Sequence, residues 1–314
     1  STGRGGTSMR PSCARTCQLR PPSPGRVGVR WERGIGGEER RLLVFLALIL
    51  AVAAPATAQE EPYAPSPDEI PAAYAPGPRD PIGTRFVNVP TPYPIRARTV
   101  EVIFLHRFRT PLNEGSSSDL WGLDNGADVG MGLGLGITRH LDVSLLRSSF
   151  QENFELATKY LFLEQAPRVP LSIAIRAGVN RLEREGVADP TRPFAQLLLA
   201  RRFGSGFNLL LAPSWVGDTP RMRDVFNVPI GLTVPLPHES ILELEVIPKS
   251  RDLDESETAW HAALGKRIGG HIFELVFSNS RAITVDQYLG GDSDTGFRSD
   301  DVRFGFNLIR EFPF

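Results

Sequence analysis

The sequence predicts an all-β protein, a single antiparallel transmembrane up-and-down barrel of about twelve strands, with long loops at one rim and short turns at the other. Three observations predict it. The final strand puts Val302, Phe304, Phe306, Leu308, Phe312 and Phe314 on one parity and Arg303, Gly305, Asn307 and Glu311 on the other. A strand sends alternate side chains to opposite faces, so one face is aromatic and apolar and the other polar. Arg40-Arg41, the apolar run Leu42–Ala54 and the small-residue site Ala56-Thr57-Ala58 read as a secretory signal cleaved before Gln59. Between signal and final strand, strand-like segments alternate with short turns and long polar loops, the pattern of bacterial outer-membrane barrels.

Four segments follow in order. Residues 1–39 are rich in Arg, Gly and Pro without apolar periodicity, and read as a spurious or unstructured extension. Residues 40–58 are the signal, whose apolar run is shorter than the ~20 residues of a membrane helix. Residues 59–98 form a Pro-rich periplasmic arm, with ten prolines between Pro62 and Pro94. Proline removes backbone donors and fixes φ, so this stretch neither pairs in a sheet nor propagates a helix. It reads as a linker, or more sharply as a plug for the barrel mouth or a binding segment for another envelope protein. Residues 99–314 are the barrel.

From Gln59 onward there are 33 acidic and 26 basic residues, a net charge of −7. No basic footprint for nucleic acid is present, so a nucleic-acid partner is excluded. Both cysteines, Cys13 and Cys17, precede the signal, which removes disulfides and thiol chemistry from the mature chain.

Period-two alternation gives strands over roughly 99–109, 126–138, 141–149, 153–164, 170–181, 193–203, 207–217, 225–236, 241–249, 258–267, 271–282 and 301–312. The clearest is Val129–Ile137, in which Gly130, Gly132, Gly134 and Gly136 separate five apolar residues. The G-x-G-x-x-G spacing of a dinucleotide loop is absent there. Glycine on an inner face leaves space or lets the sheet curve. Short turns such as Thr138–His140 follow the even strands, and long loops such as Thr110–Asn125 and Ala282–Asp300 follow the odd ones. Both termini are then expected on the periplasmic side. Inward parity carries Glu101, Arg107, Lys159, Arg176, Glu243, Glu245, His261, Glu274 and Arg303, a candidate polar network of the lumen. The outward charges Arg147, Arg201 and Arg310 lie near strand ends, where the penalty for a lipid-facing charge is small.

WGLDN at 121–125, GIT-x-x-L at 136–141, RSSF at 147–150, LLLARRF at 197–203, GHIFELVFSNSRAI at 270–283 and the closing VRFGFNLIREF resemble the membrane-bound β-barrel family catalogued as domain of unknown function 5777. The resemblance spans about Thr84 to Phe314. It implies an outer-membrane barrel and brings no catalytic residues with it.

Little chemistry is legible. The five histidines show no metal-ligand spacing, and no Ser, His and acid assemble by spacing alone. No metal, no cofactor and no enzymatic activity are expected, and a barrel-borne hydrolase is the least supported alternative. His261 is expected beside Glu243 and Glu245. Asp292, Asp294, Asp300 and Asp301 make an acidic outer loop able to meet a hard cation. Expected partners are outer-membrane lipid and the barrel-insertion machinery, which reads Phe312 and Phe314 as an assembly signal. Inner glycines free space while inner charges fill it. The expected function is therefore a narrow channel for small polar solutes or ions. The alternative is a non-conducting barrel docking an envelope protein through residues 59–98.

Overall fold

Alternation decides the architecture, because each strand must hide a polar face and present an apolar one. The computed structural model describes residues 83–183, 191–204, 206–217, 224–238, 240–251, 257–268, 270–290 and 301–314. The extension, the signal with Ala56 and Ala58, residues 59–82 of the arm and the loop residues Asp292, Asp294 and Asp300 lie outside the described residues.

Fourteen strand segments make twelve staves. They are β1 (Thr99–Phe108), β2 (Ala127–Gly136), β3 (Leu141–Ser148), β4 (Asn153–Leu163), β5 (Ser172–Leu182), β6 (Thr191–Arg202), β7 (Asn208–Leu211), β8 (Ser214–Val216), β9 (Val225–Asn227), β10 (Ile230–Leu236), β11 (Ser240–Ile247), β12 (Ala259–Ile268), β13 (His271–Ser278) and β14 (Arg303–Pro313). Every pairing is antiparallel, and β1 pairs with both β2 and β14, which closes the sheet. Two staves are broken at facing prolines. Pro213 separates β7 from β8 and Pro229 separates β9 from β10. Proline has no N–H for the ladder, and the gap is bridged by Leu197 donating to the Pro213 carbonyl at 2.8 Å and Ala212 to that of Pro229 at 3.0 Å.

The outer surface is apolar, with Leu133, Leu156, Phe162, Ile175, Leu264 and Leu275 exposed along its staves. Aromatic pairs mark both rims: Tyr160–Phe162 and Phe203–Phe207 at one end, Phe108–Phe304 at the other. The outward arginines each lie over a ring, Arg147 on Phe154, Arg201 on Phe203 and Arg310 on Phe312. Such a surface suits a lipid band between two interfaces.

The sequence reading continues β13 to Ala282; the structure ends it at Ser278. Ser278 Oγ accepts from Ser280 N at 2.8 Å, and Ser280 Oγ accepts from Ala282 N at 3.2 Å. These local bonds offer the backbone an alternative to the ladder, so the chain leaves the sheet. It then turns inward instead of extending as an outer loop. Residues 282–289 are buried and include a short helix, α1 (Val285–Leu289).

Candidate functional site

The lumen is filled by two insertions. The first comes from residues 83–98, the described end of the segment read as an external Pro-rich arm. Phe86 N donates to Val89 O and Thr91 N to Thr84 O, closing a tight hairpin over residues 84–91. Phe86, Val87, Asn88 and Val89 at its tip are fully buried. The chain leaves by the rim where β1 begins and β14 ends, and Arg98 donates there to the Gly136 carbonyl. The second insertion is the α1 segment. A capping box fixes its start, with Gln287 Oε1 accepting from Ile283 N and Thr284 N. Phe86 and Val89 of the hairpin share one buried apolar cluster with Val285, Tyr288 and Leu289 of α1.

Glycine makes room for both. A Cβ on Gly231 would lie 2.9 Å from the Phe86 ring, and one on Gly130 would lie 3.0 Å from Ile283. On Gly134 and Gly136 a Cβ would collide with Ile95 and with the Arg96 carbonyl. The space that the inner glycines leave is therefore occupied by chain. The inner face is also less polar than its parity suggested. Ile103, Leu105, Leu146, Ile272, Ile283 and Ile309 form a second buried cluster.

All nine residues expected in the lumen network are buried, yet they fall into separate groups. Near the rim of the termini, Glu101 accepts from Thr84 Oγ1 at 2.8 Å. Lys159 pairs with Asp142 at 3.4 Å and donates to the Tyr93 carbonyl at 2.7 Å, and Asp142 accepts from Ile95 N at 2.8 Å. Further in, Arg176 pairs with Glu155 and donates to Gln196 at 2.9 Å. Glu155 also accepts from Val285 N at 2.7 Å, at the start of α1. A cavity of about 40 Å³ lies among Thr84, Arg85, Glu101, Asp142, Lys159 and Arg176, enough for a few water molecules.

The third group surrounds the hairpin tip. Glu245 and His261 are cross-strand partners, with Oε1 and Nε2 3.7 Å apart. Glu245 Oε2 accepts from Asn88 N at 3.0 Å and Val89 N at 2.8 Å. The Asn88 amide donates to His261 Nε2 at 3.1 Å and accepts from Arg107 Nη2 at 3.2 Å. Arg107 also donates to Asn307 at 2.7 Å, and Asn307 donates to Glu274 at 2.6 Å. Glu243 stands beside this group, fully buried, with neither carboxylate oxygen hydrogen-bonded. Arg303 donates to the backbone carbonyls of Arg109 and Asn279.

Sequence reasoning missed Thr84, Asn88, Glu155 and Asp286. Glu155 carried a signal, since it shares the inward parity of Lys159 on β4. Asn88 lies in a hairpin with no periodicity. Asp286, which accepts from Asn153 at 2.7 Å and from Thr284 Oγ1 at 2.8 Å, lies in a segment read as an outer loop. Among the described residues no group of three His, Cys, Asp or Glu could hold a metal ion.

Solved structures resemble the chain distantly. A NanC porin matches at TM-score 0.41 and 9% identity, over 68% of this chain and all of that one. Outer membrane phospholipase A from Escherichia coli matches at TM-score 0.37 and 12% identity, over 68% of this chain and 89% of that one. A triple mutant of the Rh. blastica porin matches at TM-score 0.30 and 13% identity, over 63% of this chain and 58% of that one. No curated protein sequence matches. The family described as membrane bound beta barrel domain, domain of unknown function 5777, matches residues 82–312, and the chain belongs to it.

Proposed function

We propose that this protein is an outer-membrane barrel containing a narrow channel for small polar solutes or ions, shut by the hairpin and by α1. In this reading both termini face the periplasm and the insertion machinery recognises the strand bearing Phe312 and Phe314. The protein is not an enzyme. The observation that carries the reading is the way the hairpin is held. Its Phe86 ring packs over Gly231, and it is tied to the wall by hydrogen bonds at Thr84, Val87, Asn88 and Val89, three of them at Asn88. The two ends of the hairpin lie together, Thr91 N donating to the Thr84 carbonyl, so its tip can withdraw as one unit.

The rival reading, a non-conducting barrel that docks an envelope protein through residues 59–98, draws on the same insertion. In it, the residues ahead of the hairpin would carry the partner. One double variant separates the two. Val87 and Ala263 share a small buried cluster, and no cysteine occurs after Cys17, so V87C/A263C locks the hairpin when oxidised. Stepwise conductance in planar bilayers under reducing conditions, lost on oxidation, supports the channel. Silence in both redox states, across applied voltages, overturns it.

A further inference from the structure

Withdrawal of the hairpin would change the charge of the lumen as well as its width. Among the described residues the buried barrel wall carries seven carboxylates and five guanidinium or ammonium groups. The imbalance is concentrated on β11 and β13. Glu243 and Glu245 lie two residues apart on β11, on one face, and Glu274 of β13 faces the same space, within electrostatic reach of both. In the closed barrel the hairpin compensates this wall. Arg85 lies within electrostatic reach of Glu245 and Glu274, and the Asn88 and Val89 amides bind Glu245. Both contributions depart with the hairpin, leaving Arg107 as the cation near the wall.

A second observation points to something missing beside these carboxylates. Glu243 is 0% exposed and both its oxygens lack a hydrogen-bond partner, as does Oε1 of Glu245. Buried carboxylate oxygens are ordinarily satisfied, because an unpaired one forfeits its hydration without return. Glu245 meets the hairpin through its other oxygen, and Glu243 lies two residues away on the same face of β11. An opened, watered lumen would restore their solvation and offer them hydrated cations as partners.

We propose that the β11–β13 wall makes the opened lumen cation-selective, with Glu243, Glu245 and Glu274 as the selecting groups for small monovalent cations. This rests on the channel reading above. The opposite wall does not offset the preference, since Lys159 and Arg176 there are paired with Asp142 and Glu155, and Glu101 adds a further carboxylate. A carboxylate at contact distance through water favours a cation by about fivefold.

The test is the reversal potential of the full mature chain in planar bilayers under a KCl gradient, in an Asn88→Ala background that favours opening. The expected result is a K⁺ over Cl⁻ permeability ratio of about 5 or more, on the same contact-distance estimate. In E243Q/E245Q/E274Q it should fall at least severalfold, because four wall carboxylates then face five cations. Should the triple variant not fold, E243Q alone removes a charge without removing a hydrogen bond, and a drop in the ratio is again expected. A conducting lumen without cation preference, or a preference unchanged in these variants, overturns this inference and leaves the channel standing. Absence of conductance in the Asn88→Ala chain and in reduced V87C/A263C overturns the channel, and the inference with it.

Discussion

Asn88→Ala should release the hairpin without disturbing the barrel wall. The substitution removes the side-chain bonds to Arg107 and His261 and keeps the backbone donation to Glu245. Each lost bond leaves a buried partner short, at about 1–2 kcal/mol apiece, or roughly 2–4 kcal/mol together. At 1.36 kcal/mol per decade, the population of the withdrawn hairpin rises about 30- to 1,000-fold. Val87→Cys reports that population, since Val87 is fully buried at the hairpin tip and no cysteine occurs after Cys17. When opening and closing are fast relative to chemistry, labelling by a bulky polar maleimide follows the open fraction. The comparison is the labelling rate of V87C/N88A against V87C alone, with heat-modifiability on a gel confirming the folded barrel in both. A ratio near one in folded protein would show that Asn88 does not hold the hairpin, and the gating argument would fail with it.

Other perturbations bear on neighbouring parts of the argument. Gly136→Ala drives a Cβ into the Arg96 backbone carbonyl, whereas Gly134→Ala meets only the tip of the Ile95 side chain. The first should therefore raise Val87→Cys labelling at least tenfold and the second far less, because a rotamer change relieves a side-chain clash but not a backbone one. In the loop between β1 and β2, Asp119 accepts from Ser116 N at 2.6 Å, Gly122 N at 3.2 Å and Asn125 Nδ2 at 3.0 Å. The bond from the Ser116 amide, foremost, holds its carboxyl below the usual range. A depressed carboxyl contributes order that is present above its unfolded pKa and lost as pH falls through the folded one. Amide exchange at 116–125, corrected for intrinsic rates, should thus be flat from pH 7 to about 5 and rise only below about 4; a rise between 7 and 5 would contradict the pinning. Phe312→Ala with Phe314→Ala should lower the yield of heat-modifiable barrel severalfold while leaving signal cleavage intact, as seen by pulse labelling. Unchanged yield would remove the proposed assembly role of these two side chains.

The barrel was legible because its strands carry a face-by-face contrast that survives without any tertiary information. Glu245 and His261, both of inward parity on neighbouring strands, do meet across the ladder. The limits were equally physical. Phe86-Val87-Asn88-Val89 is four residues among prolines, too short to show any period, and its burial depends on a lumen built by strands far away in sequence. The five residues of α1 are likewise below the length at which helical periodicity can be counted. Serine bonds at Ser278 and Ser280 ended β13 early, and apolar residues beyond the turn, Ala282 and Ile283, look from sequence alone like more strand. A charged lumen was expected; its apolar half was not, because it is complementary to the insertions.

The glycine stripe of β2 ties these strands of the argument together. A twelve-stranded barrel is wider than the eight strands that side chains alone can fill, so its interior needs large inner side chains, inserted chain or water. Gly130, Gly132, Gly134 and Gly136 rule out large side chains along one stave. A G-x-G-x-G pattern on an inward face therefore says that something approaches the wall closely, without saying what. Here Ile95 and Arg96 approach from one rim and Ile283 from the other. Where the insertions meet glycine they gain no interlocking side chains, so their hold comes from the apolar clusters around Phe86, Val87 and Val89 and from polar bonds at Asn88, Thr84 and the start of α1. In the channel reading, withdrawing the hairpin costs those hydrogen bonds and the burial of Phe86, Val87 and Val89, offset in part by the entry of water. A smooth bed under part of the insertion and polar bonds at its tip are what the proposed gate requires. Insertion also accounts for the inner charges Glu101, Asp142, Glu155, Lys159, Glu245 and Arg107, each of which finds a partner on the inserted chain.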